Sequence, residues 1–290
     1  MHIREYFYSI NCRGDIIHDS CIIDDPVFLN HFYKNMQLNS TNRYVDYRYL
    51  SICGNEFLFI KPEDTPIVFR YLSDNKLFYT QDLSIEFNPR DLRFNDDGIL
   101  YHKAHIGLYG RIHPQLIMQF SDHIIPWGPF YQFYSDKILA NTVILPLHLP
   151  EYNIIMHPKF DNNCFGCGIG NLQGLRLTFM FNSLLNIAES WYVPTEREMG
   201  ALGIMHGGFV SLLLDEAMGK VLSGLGIKAP TAQLNVRFNK PTMLDKPIHI
   251  VGKLLEISGR KHSLKATIMD EKGNITAEAE ALFIKIKDKI

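Results

Sequence analysis

Residues 203–219 read GIMHGGFVSLLLDEAMG. The run is apolar almost all the way round, which suits a helix enclosed by other structure better than one lying on a surface. It nevertheless opens on Gly207-Gly208 and carries Asp215-Glu216 in its middle. Its neighbours decide the fold. Strand-like runs at Leu175 to Phe181 and Ile187 to Val193 precede it, and Gly224-Leu-Gly226 marks its C-terminal stop. Four further strands fit 231 to 238, 247 to 257, 262 to 270 and 275 to 286, with Asp270-Glu-Lys-Gly273 as the last turn. Two strands, one long apolar helix and four strands predict an α+β domain in which an antiparallel sheet wraps round a central helix.

Within the helix, Gly207, Ser211, Asp215 and Gly219 recur every four residues and form one small or polar stripe, while Phe209, Leu212, Leu213, Leu214 and Val221 cover the rest. The helix start offers N–H groups without internal partners and the positive end of the macrodipole, so the Gly207 N–H is a candidate oxyanion donor. Asp215 lies about 12 Å further along at 1.5 Å per residue, too far to act on the same carbonyl from the same helix. A two-fold dimer with antiparallel helices brings one subunit's Gly207 near the other's Asp215, and a stripe of small residues permits that approach. Glu216 and Lys220 have the spacing of an ion pair on the helix edge. His206, at the helix entry, reads first as a structural residue. In the strand that follows, Ala232, Leu234, Val236 and Phe238 alternate with Thr231, Gln233, Asn235 and Arg237, so the apolar set is expected to cover the helix and the polar set to face away.

The whole chain, 290 residues at 46% hydrophobic and 21% charged, is long enough for two folded domains. Pro146, Pro150 and Pro158 interrupt the regularity between about 136 and 160. The expected division is a first α+β domain over 1–140, a linker over 141–159 and a second domain over 160–290. A net charge of -2 without basic runs leaves no footprint for nucleic acid. No apolar run reaches a membrane span and MHIREYFYSI is not a signal peptide, so a cytoplasmic location without membrane contact is expected. Five cysteines make no disulfide framework. Cys164-x-x-Cys167, with His157 upstream, invites a zinc reading, but structural zinc takes four ligands and no second pair follows at finger spacing, so no metal is expected.

Several spaced segments carry a resemblance: Asn162-Asn-Cys-Phe-Gly-Cys-Gly, Asn171-Leu-Gln-Gly-Leu, Met205-His-Gly-Gly-Phe-Val-Ser-Leu-Leu-Leu-Asp-Glu-Ala, Pro230-Thr-Ala-Gln-Leu-Asn-Val-Arg-Phe-Asn-Lys-Pro and Ser258-Gly-Arg-Lys-His. Over about 160 to 286 the chain resembles hotdog-fold acyl-CoA thioesterases of the phenylacetate-degradation type. The resemblance implies a dimer or dimer of dimers that hydrolyses acyl-CoA thioesters without a cofactor, coenzyme A entering as part of the substrate. In those relatives the first Gly after the His polarises the thioester carbonyl, here Gly207, and an acid nine residues after the His activates water or attacks directly, here Asp215. His206 and Thr231 complete the implied catalytic set, Thr231 orienting water. Gly208 and Asn235 are implied substrate contacts, and Arg237, Lys240, Arg260 and Lys261 are candidates for the coenzyme A phosphates. Many relatives carry Asn six residues before the His, where this chain has Gly200. A non-catalytic acyl-CoA-binding protein remains open as an alternative.

The first 135 or so residues mix short strands and helices. A hairpin is expected about Gly14, a helix from Asp25-Pro26, strands at 47 to 53, 56 to 61, 77 to 87 and 115 to 120, and a turn at Asn95-Asp-Asp-Gly98. Tyr6-Phe-Tyr8, Leu38-Asn-Ser-Thr-Asn-Arg-Tyr44, Leu50-Ser-Ile-Cys-Gly-Asn-Glu56, Asp64-Thr-Pro-Ile-Val-Phe69 and Gly98-Ile-Leu-Tyr-His102 resemble an uncharacterised family of short bacterial and mitochondrial proteins. That family lends no activity, and a separate activity here stays open. Asn39, Arg43, Asn55, Glu56, Asp64, His102 and His105 are polar enough for a site, although turn chemistry accounts for most of them.

Overall fold

The computed structural model describes residues 3–134, 142–150 and 153–286. They fall into two units, 1–124 with 144–148 and 125–143 with 149–290. The stretch 141–159, expected as a linker, carries the strands Thr142–Pro146 and Asn153–Met156. Its prolines end the first strand or lie outside both, where a missing N–H does not interrupt a ladder.

In the first unit, six strands pair in the order Cys21–Ile23, Ile16–His18, Arg4–Ile10, Glu56–Pro62, Tyr49–Cys53 and Met36–Leu38, with only the central pair parallel. Gly14 turns the expected hairpin at φ 84°, a conformation without cost for glycine. The helix Pro26–Lys34 starts as read: the Asp25 side chain accepts from Phe28 N–H at 2.7 Å and Pro26 occupies the first turn. The run at 115 to 120 is a helix, Pro114–Phe120, rather than the expected strand. Pro114 at its first turn and the His113 side chain accepting from Gln115 N–H initiate it, a start signal that outweighs a short apolar run.

The second unit is the predicted wrapped sheet. Seven antiparallel strands pair in the order Asn153–Met156, Phe179–Asn182, Ile187–Tyr192, Ile248–Ser258, Lys261–Met269, Ile275–Ile284 and Thr231–Phe238. The helix Gly207–Gly224 lies against the sheet and buries Val210, Leu213, Leu214, Ala217, Met218, Val221 and Leu222, each contributing about 1.5–3 kcal/mol for the larger side chains. This is the hotdog arrangement, an α+β fold. Helix and sheet come close at Gly252, where a Cβ would stand 2.5 Å from the Ala217 carbonyl oxygen, so only glycine lets the helix settle. Helix ending and stop agree with the reading: the last residue is Gly224, and Gly226 follows at φ 71°. The strand expected from Leu175 begins only at Phe179.

Candidate active site

The stripe Gly207, Ser211, Asp215 and Gly219 lies on the side of the helix away from its buried face, all four half-buried. A Cβ on Gly219 would meet nothing within 4 Å, so the stripe is open to a close neighbour. Helix and edge strand run in opposite directions, so each end of the strand meets one end of the stripe. Near the helix start, a Cβ on Gly207 would touch the Phe238 ring at 3.4 Å. Further along, Thr231 Oγ1 donates to Asp215 Oδ1 at 2.7 Å.

That second contact corrects the expected alternation. Thr231 pairs with Phe283 and Gln233 with Leu282, leaving Ala232 as the extra residue of a β-bulge. Phe283 and Ala281 both point into the core, so Thr231, opposite Phe283, turns to the helix instead of sharing the outer face with Gln233, Asn235 and Arg237. Leu234 and Val236 pack on the core as expected, whereas Ala232 is exposed and Phe238 remains 56% exposed beside Gly207.

Asp215 is held above the usual carboxylate range. Burial is the main cause; the Thr231 hydroxyl opposes it, and the neighbouring Glu216 charge adds to it. Gly207 is the first helical residue, and its N–H makes no hydrogen bond among the described residues. The Gly208 N–H is taken: it donates to His206 Nδ1 at 2.9 Å. His206 is therefore the helix cap, with the proton of its neutral ring on Nε2. Its own backbone N–H donates to the carbonyl of Glu198, a buried residue whose carboxylate closes a capping box with Thr195. Gly200 is packed against this cap, since a Cβ there would lie 2.9 Å from His206 Cα. The position at which relatives carry Asn has no room for a side chain.

The remaining candidates divide between two ends of the sheet. Asn235 and Arg237 face outward opposite Glu280 and Glu278 and line a shallow groove with Lys265. Glu278 engages both cations, Lys265 at 2.8 Å and Arg237 at 3.9 Å. Within one chain these residues are on the opposite face from Asp215. Lys240, whose N–H donates to Thr276, follows at the Phe238 end of the strand. Arg260 and Lys261 sit in the hairpin after Ser258, in the ladder rows next to Thr231, and Arg260 Nε donates to the Lys285 carbonyl.

Glu216 does not follow the expected pairing along the helix edge. Its Oε1 accepts from Cys164 Sγ at 3.0 Å, while Lys220 reaches Cys167. Burial, with Glu216's charge, pushes the Cys167 thiol up to about 12. No spacing rule links residues so far apart in the chain.

In the first unit, the polar residues mostly serve local structure. Asn39 accepts from Thr41 and donates to the carbonyls of Arg43 and Tyr47, Arg43 pairs with Glu5, and Asp64 receives Arg111 and Tyr101. His102 is buried between Asn88 and Lys103, and that burial holds its pKa below the ordinary value.

Residues 202–277 match the profile of the thioesterase superfamily, and residues 1–128 match that of a domain of unknown function. The acyl-coenzyme A thioesterase THEM4 of Mus musculus is 37% identical over 115 residues, 39% of this chain and 49% of that protein. THEM4 of Bos taurus is 35% identical over 89 residues, 30% of this chain and 36% of that protein. The chain thus matches about half or less of the length of these curated relatives. Among solved structures, a thioesterase superfamily protein is similar at TM-score 0.40 and 29% identity, over 42% of this chain and 60% of that one. The E. coli PaaI protein from the phenylacetic acid degradation operon gives TM-score 0.35 and 15% identity, over 36% and 76%. The segment that matches the thioesterase superfamily profile, residues 202–277, lies within the wrapped-sheet unit.

Proposed function

We propose that the second unit hydrolyses acyl-CoA thioesters at a site shared between two subunits. The observation that carries this reading is the Thr231–Asp215 pair: a half-buried carboxylate on the open stripe, held by a hydroxyl at 2.7 Å and kept basic by its surroundings. The thioester carbonyl accepts from the Gly207 N–H of one subunit. Water, deprotonated by Asp215 of the partner subunit and oriented by Thr231, adds to the carbonyl carbon. The tetrahedral intermediate then expels the coenzyme A thiolate, which takes up a proton. Direct attack by the carboxylate, with an anhydride opened by water, uses the same residues.

The two-subunit form follows from distance, because Gly207 and Asp215 of one helix are about 12 Å apart. An antiparallel crossing of two stripes closes that gap. It also sets Arg237 and Lys240 of one subunit opposite Arg260 and Lys261 of the other, around the mouth where the coenzyme A phosphates enter. His206 acts through the helix start, and Gly208 leaves the approach open.

The test is release of free thiol from a panel of acyl-CoA thioesters differing in acyl group, wild type against Asp215→Asn. Turnover that depends on Asp215 supports the reading. Equal rates, or none from either protein across the panel, point to a non-catalytic binder or to an activity in the first unit. Charge reversal at Arg260 should raise KM severalfold while changing kcat little, since it touches phosphate and not the reacting atoms. Thr231→Val should lower kcat about fivefold to tenfold, the value of a hydrogen bond of roughly 1 kcal/mol. It should also move the acid limb of the pH profile upward, because the hydroxyl is what lowers Asp215's pKa.

A further inference from the structure

The loop Cys164-x-x-Cys167 and the middle of the helix form a cluster that this hydrolysis does not use. The two Sγ atoms and a Glu216 carboxylate oxygen lie within 4.8 Å of one another. We infer that Cys164, Cys167 and Glu216 form a three-ligand site for a thiophilic divalent cation, zinc in the first instance, that ties the 162–168 loop to the central helix. The donor set suits this ion: two thiolates and one carboxylate select zinc over the hard cations magnesium and calcium. Around tetrahedral zinc, ligands at about 2.0–2.3 Å stand roughly 3.3–3.8 Å apart, so adjustments of about 1 Å or less bring the three atoms to that spacing, Cys164 Sγ and Glu216 Oε1 already being 3.0 Å apart. A fourth position stays open for water.

The surroundings fit a metal centre. Gly166 passes directly over the Glu216 carboxyl, where a Cβ would meet Cδ at 2.5 Å, so the loop backbone covers the ligand only because that residue is glycine. Asn162 Nδ2 points at Cys167 Sγ at 3.8 Å, and its Oδ1 accepts from Cys164 N–H at 2.9 Å, holding both cysteines from the second layer. Gly168 N–H donates to the Cys164 carbonyl at 2.9 Å and closes the loop. Cys167 is buried, but Cys164 and Glu216 are half-exposed and give an ion a way in.

Charge also balances. Without metal, burial keeps the Cys167 thiol protonated, and Lys220 reaches it. Zinc displaces one proton from each thiol to solvent, and the formal charges of Zn²⁺, two thiolates, one carboxylate and the Lys220 ammonium sum to zero. The absence of a second ligand pair in the spacing counted against zinc, but the third ligand arrives from the helix, 52 residues after Cys164.

The full chain, reduced and stripped with chelator, is titrated with Co²⁺ and then Zn²⁺. One equivalent of Co²⁺ should produce thiolate-to-cobalt charge-transfer absorption that Zn²⁺ removes, with two protons released per ion. Zinc should protect Cys164 and Cys167 from maleimide while the exposed Cys12 and Cys21 still react. Glu216→Gln should weaken zinc about tenfold to a hundredfold, and the double replacement Cys164→Ser, Cys167→Ser should abolish the charge-transfer bands. The inference is overturned if the wild type shows no such bands at one equivalent, if zinc leaves the alkylation of Cys164 and Cys167 unchanged, or if the bands survive the double replacement. The first two readouts need no variant. None depends on thioesterase activity, so this inference and the proposed function stand or fall separately.

Discussion

Asp215→Asn should lower thioester turnover by about 10²- to 10⁴-fold, the span over which a positioned general base contributes. The fold should be untouched. The amide has the same shape, and the Thr231 hydroxyl, now 2.7 Å from Asp215 Oδ1, can donate to an amide oxygen as well. The stability change distinguishes loss of chemistry from loss of structure. In the folded chain the Asp215 carboxyl keeps its proton to higher pH than in the unfolded chain. Its contribution to stability is therefore fully present below the ordinary carboxylate pKa and is lost as pH rises through the raised folded value. The amide does not titrate. On chelator-treated protein, with the neighbouring Glu216 free of any metal, the variant's Tm should match wild type at acid pH and exceed it at neutral pH. A variant that is inactive because it is less stable at neutral pH contradicts the assignment. Wild-type activity should fall as pH drops through a value above that of an ordinary aspartate.

Gly207→Pro should reduce kcat by about 10²- to 10³-fold, as loss of an oxyanion donor does. The substitution removes the one N–H in question at the helical position where proline is best tolerated. His206, at φ -62° and ψ 134°, already has the extended backbone that a residue before proline requires. The contact a Cβ at this position would make with Phe238, at 3.4 Å, is ordinary packing. The decisive measurement mixes this variant with Asp215→Asn after unfolding and refolding both together. If each site takes Gly207 from one subunit and Asp215 from the other, a hybrid dimer contains one intact site, and random pairing restores about a quarter of wild-type activity. If each site lies within one chain, mixing restores nothing.

The central helix and the order of strands around it were legible because periodicity is local. A run as apolar as residues 203–219 has few places to go in a folded protein, and flanking glycines marked its ends. Asp215 was legible for the same reason, as a charge on a stripe of small residues. Three features were not. The helix at Pro114–Phe120 turned on a capping signal that a short apolar run disguised. The strands in 142–156 were hidden by prolines that sit at their ends. The approach of Glu216 to the cysteines depends on how the loop folds back over the helix, which no spacing within either segment records.

The bulge at Ala232 is a feature of the last kind, because it exists only in the register between two strands. It makes the assignment of the Thr231 hydroxyl a question of parity. Every side chain from Gln233 onward keeps the face that simple alternation gives it, and one surplus residue turns Thr231 to the helix and leaves Ala232 exposed. Without the bulge, plain alternation would send the hydroxyl to the other side of the sheet, whereas deleting Ala232 would restore a regular ladder and keep Thr231 on the side of Asp215.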